Sequence, residues 1–230
     1  MQSSRRFSCT FLLFLVIGCA STPRVPVQHV VDTTPAPRLQ HVWHEHMQEV
    51  LFTQQQLAKR VREMGQEISQ DLAVSSAKFS KPPLFLSVLT GSFMFTADLL
   101  REIQVPHEVK FIRASSYGSQ TQSSGQVSLS VPHLTAQDVL GRTVIIVEDI
   151  VDTGRTIHRI QAFLRGLGAT NVQVCTLLSK PSRRVVDVAM DYVGFEVEDQ
   201  FVVGYGLDFD KRYRSLKYIG VLKPQLYVDR

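Results

Sequence analysis

The chain of 230 residues is 44% hydrophobic and 20% charged, a balance that suits one α/β domain with modest additions and excludes a disordered or fibrous protein. Its formal net charge of +4 is mild and its basic residues are scattered, which argues against a nucleic-acid partner and suits a small anionic substrate. Cys9 and Cys19 lie near the N-terminus and Cys175 stands alone in the rest, so no disulfide framework or cysteine metal site is available and the folded body is expected in a reducing compartment.

Residues 1–40 read as a leader and linker, cleaved or disordered, and residues 41–230 as the folded domain. Arg5 and Arg6 precede an apolar run over 11–20, and Pro23, Pro26, Pro35 and Pro37 follow. That run is about half the ~20 residues a spanning helix needs, but it matches the apolar stretch of a signal peptide. Val16-Ile17-Gly18-Cys19 resembles a bacterial lipoprotein cleavage box. An organelle transit segment, helped by Asp32 being the only acid before Glu45, and an unused upstream start fit the same residues. The expected location is cytoplasmic, with membrane-anchored, exported or organellar as the alternatives the leader raises.

The body opens with an extended stretch over 50–52, a capping Thr53 and a helix in which Leu57, Val61, Met64 and Ile68 recur at helical spacing. His41, His44 and His46 cluster here without acids at ligand spacing, so a packing role is favoured over a metal site. After Lys81-Pro82-Pro83, the apolar run 84–89 predicts a strand buried on both faces of a parallel sheet. Thr90-Gly91-Ser92 then leads into a helix over 93–103, a turn where backbone amides can meet an anion. A strand over 107–114 gives way to the small polar stretch 115–126, a lid or a passive hairpin loop with Tyr117 as its one large contact.

The most informative stretch is 144–156. A β-branched run ends at Glu148 and Asp149, and Asp152 then opens the turn Thr153-Gly154-Arg155-Thr156 before a helix over 157–167. Small side chains there let backbone N–H groups close around a phosphate, aided by the helix N-terminus. Glu148 and Asp149 can accept hydrogen bonds from sugar hydroxyls or from water on Mg²⁺. The plainer alternative makes Asp152 or Thr153 a helix cap and the acids ordinary residues at a strand end. Neither a Gly-x-x-x-x-Gly-Lys-Ser/Thr loop nor a Gly-x-Gly-x-x-Gly follows a strand. Further strands are expected over 172–178, 192–196 and 201–205, and Lys180 stands at the end of the first, where ligands bind in open α/β sheets.

Val147 to Thr156 resembles the phosphoribosyl-pyrophosphate signature of the type I phosphoribosyltransferases. Gly194-Phe195-Glu196, the run Phe201 to Asp208, and Tyr213-Arg214 resemble the purine-binding hood of that family's hypoxanthine-guanine branch. The resemblance implies an open, mostly parallel twisted sheet flanked by helices, with a small hood formed by parts of 41–60 and 180–230. It also implies purine salvage: phosphoribosyl transfer from phosphoribosyl pyrophosphate to N9 of hypoxanthine or guanine, with Mg²⁺ as cofactor. The implied partners are these small substrates and a second or further copies of the chain in a homodimer or homotetramer, without nucleic acid.

By the same resemblance Asp152 is catalytic at purine N7. Glu148, Asp149, Asp152, Thr153, Gly154, Arg155, Thr156, Thr90, Gly91 and Arg214 bind phosphoribosyl pyrophosphate, and a non-proline cis peptide joins Leu89 to Thr90. Ser116 and Tyr117 belong to the lid. Lys180 reads the purine 6-oxygen, Phe201 stacks on the base, Val202 meets its edge through the backbone, and Asp208 lies beside them. Glu148, Asp149 and Asp208 are the implied metal residues. Many members of the family have Lys where this chain has Thr90. A regulator that senses the same ligand, and a transferase for another base such as xanthine, are the alternative readings.

Overall fold

A computed structural model describes residues 43–75, 80–116, 127–130 and 134–228. In chain order these form β1 (Met47–Phe52), α1 (Gln54–Ser75), β2 (Leu84–Leu89), α2 (Phe93–Glu102), β3 (Glu108–Ser116), β4 (Val127–Ser130), the short α3 (Ala136–Val139), β5 (Thr143–Val151), α4 (Arg155–Gly166), β6 (Asn171–Ser179), β7 (Tyr192–Glu196), β8 (Val202–Val203) and β9 (Ile219–Leu222). Residues 1–42, and with them every expectation for the leader, lie outside the described residues.

The main sheet runs β4-β3-β2-β5-β6-β7, parallel throughout except for β4, which pairs antiparallel with β3 at the edge. Its central strands are apolar on both faces because helices cover both. Phe85, Ile145 and Val147 point to the side of α1 and α2, where they meet Leu57, Val61, Met64, Ile68, Phe95 and Leu99. Leu84, Leu86, Val144 and Ile146 point the other way, to Ile157, Ile160 and Leu164 of α4 and Val139 of α3. Strict alternation thus serves two cores from one strand.

The chain leaves β2 outward to β3 and β4, then crosses to the opposite side of β2 to form β5. The reversal opens a crevice at the carboxyl ends of β2 and β5, where ligands bind in sheets of this kind. A second, antiparallel sheet of order β1-β9-β8 has its own small core of Met47, Val203, Tyr213, Leu216 and Leu222.

Several boundaries differ from those expected. The strand placed over 201–205 is limited to Val202–Val203, because Gly204 (φ 104°) and Tyr205 (φ 48°) turn the backbone through the left-handed region. The helix placed over 157–167 begins earlier, at Arg155. Ser115 and Ser116, read as the start of a polar loop, extend β3 because they pair with Ser128 and Val127. The capping role of Thr53 is present: its hydroxyl accepts from the Gln56 N–H at 3.3 Å and its N–H donates to Gln56 Oε1 at 2.9 Å.

Candidate active site

The carboxyl end of β5 delivers two adjacent acids into the crevice. Glu148 is 8% and Asp149 9% exposed, and Glu148 Oε2 is buried without a hydrogen-bond partner. Burial, reinforced by the neighbouring Asp149, holds the Glu148 carboxyl well above the usual carboxylate range. Burial also raises Asp149, opposed first by a hydrogen bond with the Glu148 side chain, then by backbone N–H donors and the charge of Arg214.

Across the crevice, β2 ends in the turn 89–92 with a cis peptide between Leu89 and Thr90. A Cβ on Gly91 would fall 1.6 Å from Asp149 Oδ2, so the acid lies directly against backbone and any side chain there would push it aside. The turn is pinned from beneath by a buried hydroxyl chain that the sequence does not reveal. Ser87 Oγ lies 2.9 Å from both Ser92 Oγ and Thr96 Oγ1, and Ser92 Oγ donates to the Val88 carbonyl at 2.6 Å. Serine in an apolar run carries no signal of such a network.

The second turn follows β5. Gly154 is the N-cap of α4, at φ 82° and with no side chain to cap with; the Thr153 hydroxyl accepts from the Arg155 N–H at 3.5 Å, the contact the plainer alternative expected, while Asp152 makes no such bond. The Thr153 carbonyl accepts from both Val185 N and Val186 N at 3.0 Å, and a Cβ on Gly154 would meet the Val186 carbonyl at 2.4 Å. The backbone after Lys180 therefore straps this turn from behind. Arg184 adds to the strap through the Val151 carbonyl (3.3 Å) and Ser179 Oγ (2.9 Å). Asp152, at the lip, accepts from Arg183 Nε at 2.8 Å.

The far wall comes from β6 and the segment around β8. Lys180 is largely buried, donates to the Gln200 carbonyl at 2.6 Å and lies 3.7 Å from Asp199 Oδ1. Burial pulls its ammonium below the ordinary lysine value, opposed by the charges of Asp152 and Asp199. Phe201 is stacked on Tyr227 with centroids 4.8 Å apart and meets Phe209 edge-on at 5.5 Å. Arg214 pairs with Asp208 at 2.7 Å and donates to the Gly206 carbonyl at 2.6 Å. The turn between them carries positive φ at Asp210, Lys211 and Tyr213, and Tyr213 is anchored by its hydroxyl to His46 Nδ1 at 2.9 Å.

One cleft of about 390 Å³ collects Thr90, Gly91, Glu148, Asp149, Asp152, Thr156, Lys180, Phe201, Val202, Asp208 and Arg214 on its walls. Thr153, Gly154 and Arg155 are not among its lining; they form the turn behind Thr156. Ser116 ends β3 and Tyr117 lies outside the described residues. The sequence reading assigned no role to Arg183, Arg184, Asp199 or the Gln200 carbonyl, whose partners come from segments that only folding brings near. His44 and His46 serve Tyr218 and Tyr213, and among the described residues no group of three or more His, Cys, Asp or Glu is gathered to hold a metal. Cys175 is a buried core residue whose thiol burial pushes up.

Two backbone turns flank an acid pair and face a lysine and an aromatic ring across one cleft, the arrangement of a transferase site at the carboxyl ends of a parallel sheet. The family model of the phosphoribosyl transferase domain matches residues 47–210. The chain is 42% identical over 176 residues to the hypoxanthine phosphoribosyltransferase of Salmonella typhimurium, covering 76% of this chain and 96% of that protein. It is 43% identical over 178 residues to the hypoxanthine-guanine phosphoribosyltransferase of Mycobacterium tuberculosis, covering 77% and 87%. A solved hypoxanthine phosphoribosyltransferase from Staphylococcus aureus superposes with a TM-score of 0.73 at 35% identity, over 82% of this chain and 98% of that one. The chain belongs to the phosphoribosyltransferases, in their hypoxanthine-guanine family.

Proposed function

We propose that the protein works in purine salvage, transferring 5-phosphoribosyl from phosphoribosyl pyrophosphate to N9 of hypoxanthine or guanine and releasing pyrophosphate. The observation that carries this reading is that a buried Lys180 ammonium and the Phe201 ring face the acid pair and the Thr90-Gly91 turn across one cleft. A lysine donor suits the 6-oxo group of these bases and has nothing to offer the amino group of adenine.

The turn 153–156 holds the 5-phosphate through backbone amides and the start of α4. Glu148 and Asp149 orient the ribose hydroxyls, which supply the buried Glu148 Oε2 with the donor it lacks. The Thr90-Gly91 backbone and Arg214 meet the pyrophosphate. Phe201 stacks on the base and the Val202 backbone meets its edge. Departure of pyrophosphate leaves positive charge on the sugar, so stabilising the leaving group is a large part of the rate. Asp152 takes the proton from N7 as N9 forms its bond to the sugar.

The acid-rich cleft suits Mg²⁺, with Glu148, Asp149 and Asp208 as its residues. Among the described residues no group of three or more His, Cys, Asp or Glu is gathered, so an ion held by these acids would draw its remaining ligands from water and substrate. When bound, the ion neutralises charge on the pyrophosphate. A homodimer or homotetramer in the cytoplasm completes the reading, and no helix among the described residues is long and apolar enough to cross a membrane.

A base panel tests it: hypoxanthine, guanine, xanthine, adenine and uracil, each with phosphoribosyl pyrophosphate and Mg²⁺, read by nucleotide identity and pyrophosphate release. Product with hypoxanthine and guanine alone is expected. Tight binding of phosphoribosyl pyrophosphate with no product from any base would move the protein to a sensing role.

A further inference from the structure

Arg183 closes the 3-10 turn Pro181–Arg183, directly after the base-reading Lys180. Its Nε donates to Asp152 Oδ1 at 2.8 Å, and its Nη1 reaches both oxygens of Asp199, at 3.2 and 3.4 Å. Asp199 is in turn 3.7 Å from Lys180 Nζ. The acid at the imidazole edge of the base and the lysine at its 6-oxo edge are therefore joined through one guanidinium and one carboxylate. Among the described residues Arg183 is the only side chain that hydrogen-bonds Asp152.

Stability does not account for this arrangement. The Arg183 side chain is 41% exposed and that of Asp152 40%, and ion pairs at such sites contribute about 0–1 kcal/mol. A planar fork does something else well: it fixes the orientation of the carboxylates it spans. Asp152 sits on the loop between β5 and α4 with no other described side chain bonded to its carboxylate, and a proton acceptor has to stand within about 3 Å of its donor.

We propose that Arg183 is a positioning residue for the transfer step, holding Asp152 by Oδ1 so that Oδ2 faces purine N7. The proposal rests on the functional reading given above. As N9 bonds to C1′ of the ribose, the bond from C1′ to the pyrophosphate oxygen breaks and its electron pair leaves with pyrophosphate. The proton on N7 passes to Asp152 Oδ2. Arg183 touches neither substrate and keeps its own proton throughout.

Single-turnover kinetics on the full chain, with phosphoribosyl pyrophosphate, Mg²⁺ and hypoxanthine, test the proposal without interference from product release. Arg183→Ala is expected to slow nucleotide formation about tenfold or more, the scale on which a displaced reacting group acts, while affinity for phosphoribosyl pyrophosphate is unchanged. Arg183→Lys, which retains one charged donor, recovers part of the rate. A rate for Arg183→Ala that matches or exceeds that of the unaltered chain overturns the proposal, as does a loss that Lys does not relieve. So does a loss accompanied by an equal fall in phosphoribosyl-pyrophosphate affinity, the sign of a damaged phosphate turn. If the unaltered chain forms no nucleotide, the functional reading fails first, and that failure is visible before any variant is compared.

Discussion

Glu148 shows what the site demands of single residues. Burial of the Glu148 carboxyl penalises its charged form, so ionising it weakens the ligand-free fold. Glu148→Gln keeps the shape and removes the charge. It should raise thermal stability by about 1 kcal/mol, roughly 2–4 °C for a chain of this size, and weaken phosphoribosyl-pyrophosphate binding. Differential scanning fluorimetry with and without that ligand checks both; a variant less stable than its parent would show that the acid is already satisfied. The positions of Glu148, Asp149 and Lys180 at strand ends were legible from the apolar runs that precede them, whereas Phe201 stood out only through the family resemblance. Asp199 and the hydroxyls of Ser87 and Thr96 were not legible, since each acquires meaning only from a partner that folding supplies.

At the scale of elements, local chemistry sets most boundaries. The one-turn α3 persists because Thr135 and Asp138 form a reciprocal capping box, and Asp138 also bonds Lys110 on β3. That lysine, then the Thr135 backbone N–H, lowers the Asp138 carboxyl to about 2. A depressed value means stability that is fully present above the unfolded value near 4 and is lost as pH falls toward 2. Asp138→Asn should therefore cost up to about 1 kcal/mol at pH 7, limited by solvent screening, with the deficit shrinking by pH 3. Urea titrations at the two pH values measure it, and a pH-independent deficit would assign the effect to packing. Apolar periodicity located α1, β2 and β5 to within a few residues. It failed at 201–205, where Tyr205 looks like a strand residue but turns at φ 48° so that its hydroxyl reaches Asp98 at 2.7 Å. Composition does not report such a turn.

For the molecule as a whole, the parallel sheet supplies the acids, Lys180 and the turn at Thr90-Gly91, while the segment from Phe201 to Arg214 supplies the opposite wall of the cleft. The two meet backbone to backbone: a Cβ on Gly206 would fall 2.1 Å from the Gly91 carbonyl, so that wall and the turn after β2 touch without side chains between them. The alternation of strand and helix made the sheet legible. Strand order was not, because no local signal tells the chain to cross β2 before forming β5.

That order gives the protein a gauge of its own. β5 is hydrogen-bonded on both sides, to β2 and β6, and Val144, Ile145, Ile146 and Val147 have no exposed surface. Amides so placed meet deuterium only when the entire fold opens. A ligand that binds the native state alone makes that opening rarer in proportion to its saturation, about a hundredfold at a concentration a hundred times its dissociation constant. Deuterium uptake in 144–147 should slow by that factor when phosphoribosyl pyrophosphate is added. Affinity then becomes readable in a protein that is not turning over, including variants too slow to assay.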